Sequence, residues 1–349
     1  MKTSNKTKLV VTALALIFSL MPATASTALK EKTPYIQADC SIFDYQGTLV
    51  RKLKYWQCIF LKDGGLIASG YFSAEDKENY PLSFFSPEGN LLWGKQWIAN
   101  NKINLCRNDQ AFSIVTTEDK VVAGQLSRGD GVAILDFQGN SLAKWSLLEH
   151  YDELNSKMNL ERTSAGADPK GLELLRSKAD GEFTNLAGAF EIPPNPLAKT
   201  IPAFQAGNFL LPFYNQHLLI LSSDLKEVQW ISKKTYYTRE AKVLKNGHIL
   251  LSQDNRGPQG AAVLELDPNT ESVVWKFTGT PKLSIPNFGS VSELNGKFAL
   301  TGNPDVAHIS VINRKGKLLS TFKGNPHIGG FSRVQFLKHN GFLKSEIKE

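Results

Sequence analysis

The stretch VLELDPNTESVVW at 263–275 is an apolar strand, a polar turn and a second strand ending on an aromatic ring. Asp267 opens the turn with a short side chain that can bond its own backbone two residues on. Val273, Val274 and Trp275 favour extended backbone. The same phrase recurs as SIFDYQGTLV at 41–50, SFFSPEGNLLW at 83–93, AILDFQGNSLAKW at 133–145, LILSSDLKEVQW at 219–230 and SVINRKGKLLSTF at 310–322. Its turn-opening residues are Asp44, Ser86, Asp136, Ser223, Asp267 and Asn313, at steps of 42, 50, 87, 44 and 46 residues. A recurring period of this length marks a repeat architecture. The step of 87 is close to two periods and leaves room for one degenerate unit between 146 and 200.

A second turn series runs out of phase with the first: Asp63-Gly64-Gly65, Glu118-Asp119, Gly207-Asn208, Asn246-Gly247, Asn295-Gly296 and Asn340-Gly341. Asn-Gly and Asp-Gly supply the positive φ that tight hairpins need. This series skips the same period. Each unit is therefore four short antiparallel strands, and helical periodicity is nearly absent outside 146–180. A four-stranded sheet repeated at this length predicts an all-β fold, a single β-propeller. Seven blades are expected, six clear and a degenerate seventh at 148–200. The chain begins with the second half of a unit (38–54) and ends with the first half of another (332–349), so terminal strands should pair and close the ring, removing free edges. A two-domain all-β protein, with EIPPNPLAKTIP at 191–202 as linker, is the alternative.

Composition bounds the class. The chain has 349 residues, 42% hydrophobic and 21% charged, with 20 Phe, 9 Tyr and 6 Trp. That excludes disordered, collagenous and coiled-coil chains and allows a full core. Residues 1–25 have the form of a secretory signal peptide. Lys2, Lys6 and Lys8 precede the apolar run LVVTALALIFSL, and Ala23-Thr24-Ala25 offers a small-x-small cleavage site. The propeller is expected over 26–349, with an irregular segment at 148–200, in the periplasm or the medium. No later apolar run reaches the length of a membrane span. The net charge of +7 includes those three leader lysines, and the remaining basic residues are scattered among acids. Neither nucleic-acid binding nor a polybasic membrane patch is expected. Cys40, Cys58 and Cys106 allow at most one disulfide, whose pair the sequence does not choose; the plainer reading is three small hydrophobes in strands.

The stretches AKVLKNGHILLSQDN, LDPNTESVVWKF at 266–277 and GSVSELNGKFALTGN at 289–303 resemble the repeats of quinoprotein-like and bacterial arylsulfotransferase-type propellers. The resemblance covers 200–325 well and the first two blades loosely. It implies the propeller fold and, for the sulfotransferase type, a histidine nucleophile at the central channel with cations beside it. This chain has no His between 218 and 247, where that family would offer one, and no adjacent cysteines of the quinoprotein kind. Trp93, Trp145, Trp230 and Trp275 are expected at one blade position as sheet-to-sheet packing. H-E-x-x-H, G-x-S-x-G, P-loop and dinucleotide motifs are absent.

Function is therefore expected in the rim loops between second and third strands and between blades. The expected site is Tyr237, Arg239, Asp254, Asn255, Arg256 and His308, where two guanidiniums neutralised by Asp254 or Glu240 would take a carboxylate, sulfate or phosphate. The expectation is an exported, non-catalytic binding propeller. No cofactor and no metal are expected, and the partner is a polar or anionic ligand or an envelope protein. The alternatives are an arylsulfotransferase-like transfer enzyme at the channel and an envelope assembly scaffold.

Overall fold

A computed structural model describes residues 35–53, 55–71, 81–96, 99–122, 125–158, 186–214, 217–232, 234–255, 257–279, 289–302, 308–323, 333–337 and 341. The expected signal peptide at 1–25, Arg256 and residues 159–185 of the segment 148–200 lie outside these residues.

Six four-stranded antiparallel sheets form the ring. Blade one takes β1 (Tyr35–Ala38), β2 (Ser41–Phe43) and β3 (Leu49–Lys52). Blade two is β4 (Tyr55–Phe60), β5 (Leu66–Tyr71), β6 (Pro81–Phe85) and β7 (Leu91–Gln96). Blade three is β8 (Ala99–Cys106), β9 (Ala111–Val122), β10 (Gln125–Asp136) and β11 (Ser141–Ser146). Blade four is β12 (Phe190–Glu191), β13 (Phe209–Pro212), β14 (Leu218–Leu221) and β15 (Val228–Ile231). Blade five is β16 (Thr238–Val243), β17 (Ile249–Gln253), β18 (Ala262–Asp267) and β19 (Ser272–Phe277). Blade six is β20 (Val291–Leu294), β21 (Lys297–Thr301), β22 (His308–Asn313) and β23 (Leu318–Lys323). The last strand, β24 (Val334–Leu337), returns to blade one and pairs with β1, Ile36 opposite Phe336 and Ala38 opposite Val334. Closure therefore divides blade one as three N-terminal strands and one C-terminal strand, not two and two.

Middle strands are buried on both faces because each sheet is sandwiched between neighbours. β14 (LLIL) is buried throughout, as is β17 (ILLSQ), so these strands read as apolar runs rather than alternations. Outer strands such as β19 are mostly exposed. Each of the six blade interfaces carries its own apolar cluster. Val115 and Val132 of blade three share one apolar cluster with Phe209 and Leu211 of blade four. Lys102 Nζ and Ser113 Oγ donate to the Leu186 and Ala189 carbonyls across that interface. No space remains between blades three and four for a seventh, so the expected degenerate blade at 148–200 is corrected. Its described parts are helix α1 (Tyr151–Met158), two 3-10 turns at Pro196–Lys199 and Pro202–Phe204, and β12. Tyr151, Leu154 and Met158 of α1 pack into the same cluster. The expected linker 191–202 is the connection from first to second strand within blade four.

The repeat turns are a single device used six times. Each third strand pairs with its fourth through a register shift, from Ile42/Phe43 to Val311/Ile312. A residue of positive φ sits in each turn: Gly47, Gly89, Gly139, Leu225, Glu271 and Gly316. This is the bulged hairpin of a longer loop. Asp44, Ser86, Asp136, Asp267 and Asn313 accept backbone N–H groups two residues on. In blade four that residue is Ser222, one earlier than the expected Ser223; its hydroxyl accepts from Lys226 and Glu227 N–H. In the second series, Glu118-Asp119 is not a turn but lies within β9. The hairpin is Arg107–Gln110, where Arg107, Asn108 and Asp109 all take positive φ. Asn340-Gly341 follows the ring's last strand; Gly341 lies against the Leu61 and Lys62 backbone, where a Cβ would clash.

Trp93, Trp230 and Trp275 share one register position, opposite Phe84, Ile220 and Glu265. Trp145 sits two residues further on, opposite Val132, and Ala143 holds the shared position. The packing role is plain. Trp93 Nε1 donates to Phe137 O and Trp275 Nε1 to Arg314 O, each 2.8 Å away in the next blade's turn.

Candidate functional site

The rim cluster is built where blade four meets blade five. The connection into β16 ends on Tyr237, whose φ of 55° turns the chain inward. Its carbonyl accepts from Asp254 N–H at 3.1 Å, and the Tyr236 carbonyl accepts from Gln253 Nε2 at 2.7 Å. These bonds tie the start of β16 to the end of β17. Asp254 is only 1% exposed, and burying a carboxylate requires donors. It accepts from the Tyr214 hydroxyl and lies 3.5 Å from Arg239 Nη2. Arg239 also donates to the Tyr214 oxygen at 3.0 Å, and its guanidinium carbon stands 4.0 Å above the Tyr214 ring. Tyr237 meets Tyr214 edge-on at 5.5 Å. The Arg239 side chain stays 39% exposed.

The structure thus brings Tyr237, Arg239 and Asp254 together and adds Tyr214 from blade four. Tyr214 follows β13 and was not among the expected site residues. Asn255 is exposed beside the cluster, and Arg256 lies outside the described residues. His308 begins β22 in blade six and makes none of the cluster's contacts. Glu240 does not serve Arg239. It turns the other way, accepting from Ser290 Oγ and pairing with Lys242. His217, buried beneath the rim against Tyr236 at 4.4 Å, is held neutral by burial.

Two further polar groups escaped the sequence. Along the channel, Arg333 reaches from blade one to the Ile103 carbonyl of blade three, and Glu240 and Lys242 of blade five face it. At the β16–β17 turn, fully buried Glu265 gathers His248 Nδ1 at 2.6 Å, Asn246 Nδ2 at 3.2 Å and, from the β22–β23 turn, Arg314 Nη2 at 2.6 Å. His248 therefore packs against a buried carboxylate. Among the described residues, the six innermost strands contain no His.

Cys40 and Cys58 form a disulfide between blades one and two, so the reading of three unpaired cysteines is corrected. The reason is tertiary: blade one packs on blade two, which sets the β1–β2 turn beside β4. Cys106 is free and buried, its thiol pushed up to about 12 by burial, with Glu191 adding and Arg107 opposing.

No protein-family model and no curated protein matches the sequence. Among solved structures, a chain from "Crystal Structure of Mitotic Checkpoint Complex" is similar at 8% identity with a TM-score of 0.44, over 84% of this chain and 69% of that one. The blade geometry therefore defines the class as a six-bladed β-propeller.

Proposed function

We propose that this protein is an exported, non-catalytic binding propeller that takes the anionic group of a ligand or partner at the blade four–blade five rim. The observation that carries the reading is Arg239, held flat on Tyr214 and oriented by buried Asp254, with its side chain partly in solvent. A guanidinium fixed in this way has lost little further entropy to give when it meets a carboxylate, sulfate or phosphate. The Cys40–Cys58 bridge supports export, since disulfides persist in oxidising compartments. The resemblance to sulfotransferase-type repeats leaves transfer chemistry at the channel as the competing reading.

The test is thermal stabilisation of the mature chain by sulfate, phosphate and small carboxylates. Binding to the native state raises the melting temperature with ligand concentration. Arg239→Ala is expected to abolish this response while costing about 1 kcal/mol of stability, since the lost ion pair is partly solvent-screened. Stabilisation that persists in the variant, or turnover of an aryl sulfate by the wild type, overturns the reading.

A further inference from the structure

At the end of the channel away from the rim, where the innermost strands of blades one, two and three run out, a cavity of about 510 Å³ opens between β4, β8 and β24. This volume is that of a small-molecule site. Its walls are apolar: Phe60 of β4, Leu105 of β8, Phe336 and Leu337 of β24, and Phe137 of the β10–β11 turn. Leu105 and Phe137 stay only partly buried. Phe137 is fixed in place, its ring stacked on Phe84 at 5.8 Å and on Phe112 at 6.4 Å. Such surface gains from contact with an apolar ligand.

Four charged side chains line the same space: Lys62, Asp63, Asp109 and Arg333. Three stand at the mouth, in the turns that follow β4 and β8, and are engaged there. Lys62 Nζ pairs with Asp109 Oδ2 at 2.6 Å, and Asp63 Oδ1 accepts from Gly65 N–H at 2.8 Å. The fourth is deep. Arg333 immediately precedes β24, and Gln335 and Leu337 follow it toward the mouth, since alternate strand residues share a face. Among the described residues, the Arg333 guanidinium hydrogen-bonds to neutral acceptors alone. Nη1 donates to the Ile103 carbonyl and Nη2 to Gln335 Oε1 at 3.5 Å, while the buried Nε has no partner. Glu240 and Asp39 support its charge through space but serve other groups. Glu240 takes Ser290 Oγ and Lys242, and Asp39 Oδ1 takes the Arg333 main-chain N–H. Burial pushes the Arg333 pKa down, and Lys242 of β16 repels its charge. A charged acceptor brought to this guanidinium would therefore be worth more than the neutral ones it has. Lys245, Glu293 and Arg314 line a neighbouring part of the channel that Arg333 also borders, and stand outside this wall.

We propose that this cavity binds a monocarboxylic acid with an aliphatic chain of medium length, its carboxylate toward Arg333 and its chain along Leu105, Phe137 and Phe336. One acidic end is enough, because of the four charges only the deep guanidinium lacks a charged partner of its own at hydrogen-bond distance. Asp63 and Asp109 at the mouth oppose a second anionic end there. The apolar wall between mouth and guanidinium disfavours a small hydrated anion without a chain.

The mature chain is titrated with octanoate, octanol, octylammonium and acetate, by calorimetry and by melting temperature. Octanoate is expected to bind at least tenfold more tightly than octanol, with no binding of octylammonium or acetate at this site. Arg333→Gln should bring octanoate down to the affinity of octanol, a loss of about tenfold, the equivalent of 1.4 kcal/mol. Leu105→Trp keeps the arginine but fills the wall, and should abolish octanoate binding; it decides the matter if Arg333→Gln fails to fold. Arg239→Ala should bind octanoate as the wild type does, which separates this site from the rim. Absence of octanoate binding, equal binding of octanol or octylammonium, unchanged affinity in Leu105→Trp, or loss of binding in Arg239→Ala overturns the proposal. Failure of the sulfate and phosphate test at the rim leaves it standing.

Discussion

A buried carboxylate is tolerable only when donors meet it, and Glu265 meets three. Burial opposes its charge, but His248, Asn246 and Arg314 outweigh that and hold it below the ordinary glutamate value of 4.5. A depressed carboxylate contributes stability above its unfolded pKa and loses it as pH falls through the lower folded value. Glu265→Gln should therefore cost about 1–3 kcal/mol at neutral pH, because Arg314 and His248 lose their charged acceptor. It should also flatten the decline in stability below pH 4.5. Urea unfolding at several pH values checks both; an unchanged acid limb removes Glu265 from the account. The residues that name the repeat act differently. Gly47 packs so closely under Phe322 of blade six that any Cβ there would clash, and its positive φ already excludes most side chains.

At the scale of elements, two devices hold blade one, the only sheet drawn from both ends of the described chain. The first is β24. Removing residues 333–349 takes the innermost strand from blade one and strips β1 and the facing β20 of their neighbour. Such unpaired edges invite association. The truncated chain should aggregate or lose its cooperative melt, and a melt like that of the full chain would refute the closure. The second device is the bridge from Cys40 to Cys58, which closes a loop of 18 residues. Chain-entropy arguments assign such a loop about 3 kcal/mol. Cys58→Ala should lose about that much in denaturant unfolding, and reductant should lower the wild type but not the variant. Cys106 should stay silent to thiol reagents until the protein unfolds, since its thiolate is suppressed and the side chain buried.

At the scale of the molecule, the proposed export rests on residues 1–25 acting as a signal peptide. Cleavage after Ala25 is expected, leaving a mature chain that starts at Ser26. N-terminal sequencing of exported protein that retains residues 1–25 would overturn that assignment. Among the described residues no helix is long and apolar enough to cross a membrane.

The periodic phrases from 41–50 to 310–322 determined the blade by themselves. Asx turn openers, bulge glycines and apolar middle strands are local rules that hold wherever a four-stranded sheet is packed on both faces. The number of blades was different. The step of 87 residues admitted either a seventh blade or an insertion, and only the direct hydrogen bonds of Lys102 and Ser113 to blade four settled it at six. Spacing could not tell a loop from a sheet there, because ring closure is set by interface angles summed around the whole circle. The same limit applied to the sites. Arg239, second residue of β16, and Asp254, just past the end of β17, sit at strand ends that the repeat itself marks as rim. Tyr214, Leu105 and Arg333 come from other blades, and their meeting points exist only after the ring has closed. Local chemistry is written in neighbouring residues; a channel is made by residues that share nothing in sequence but their distance from the axis.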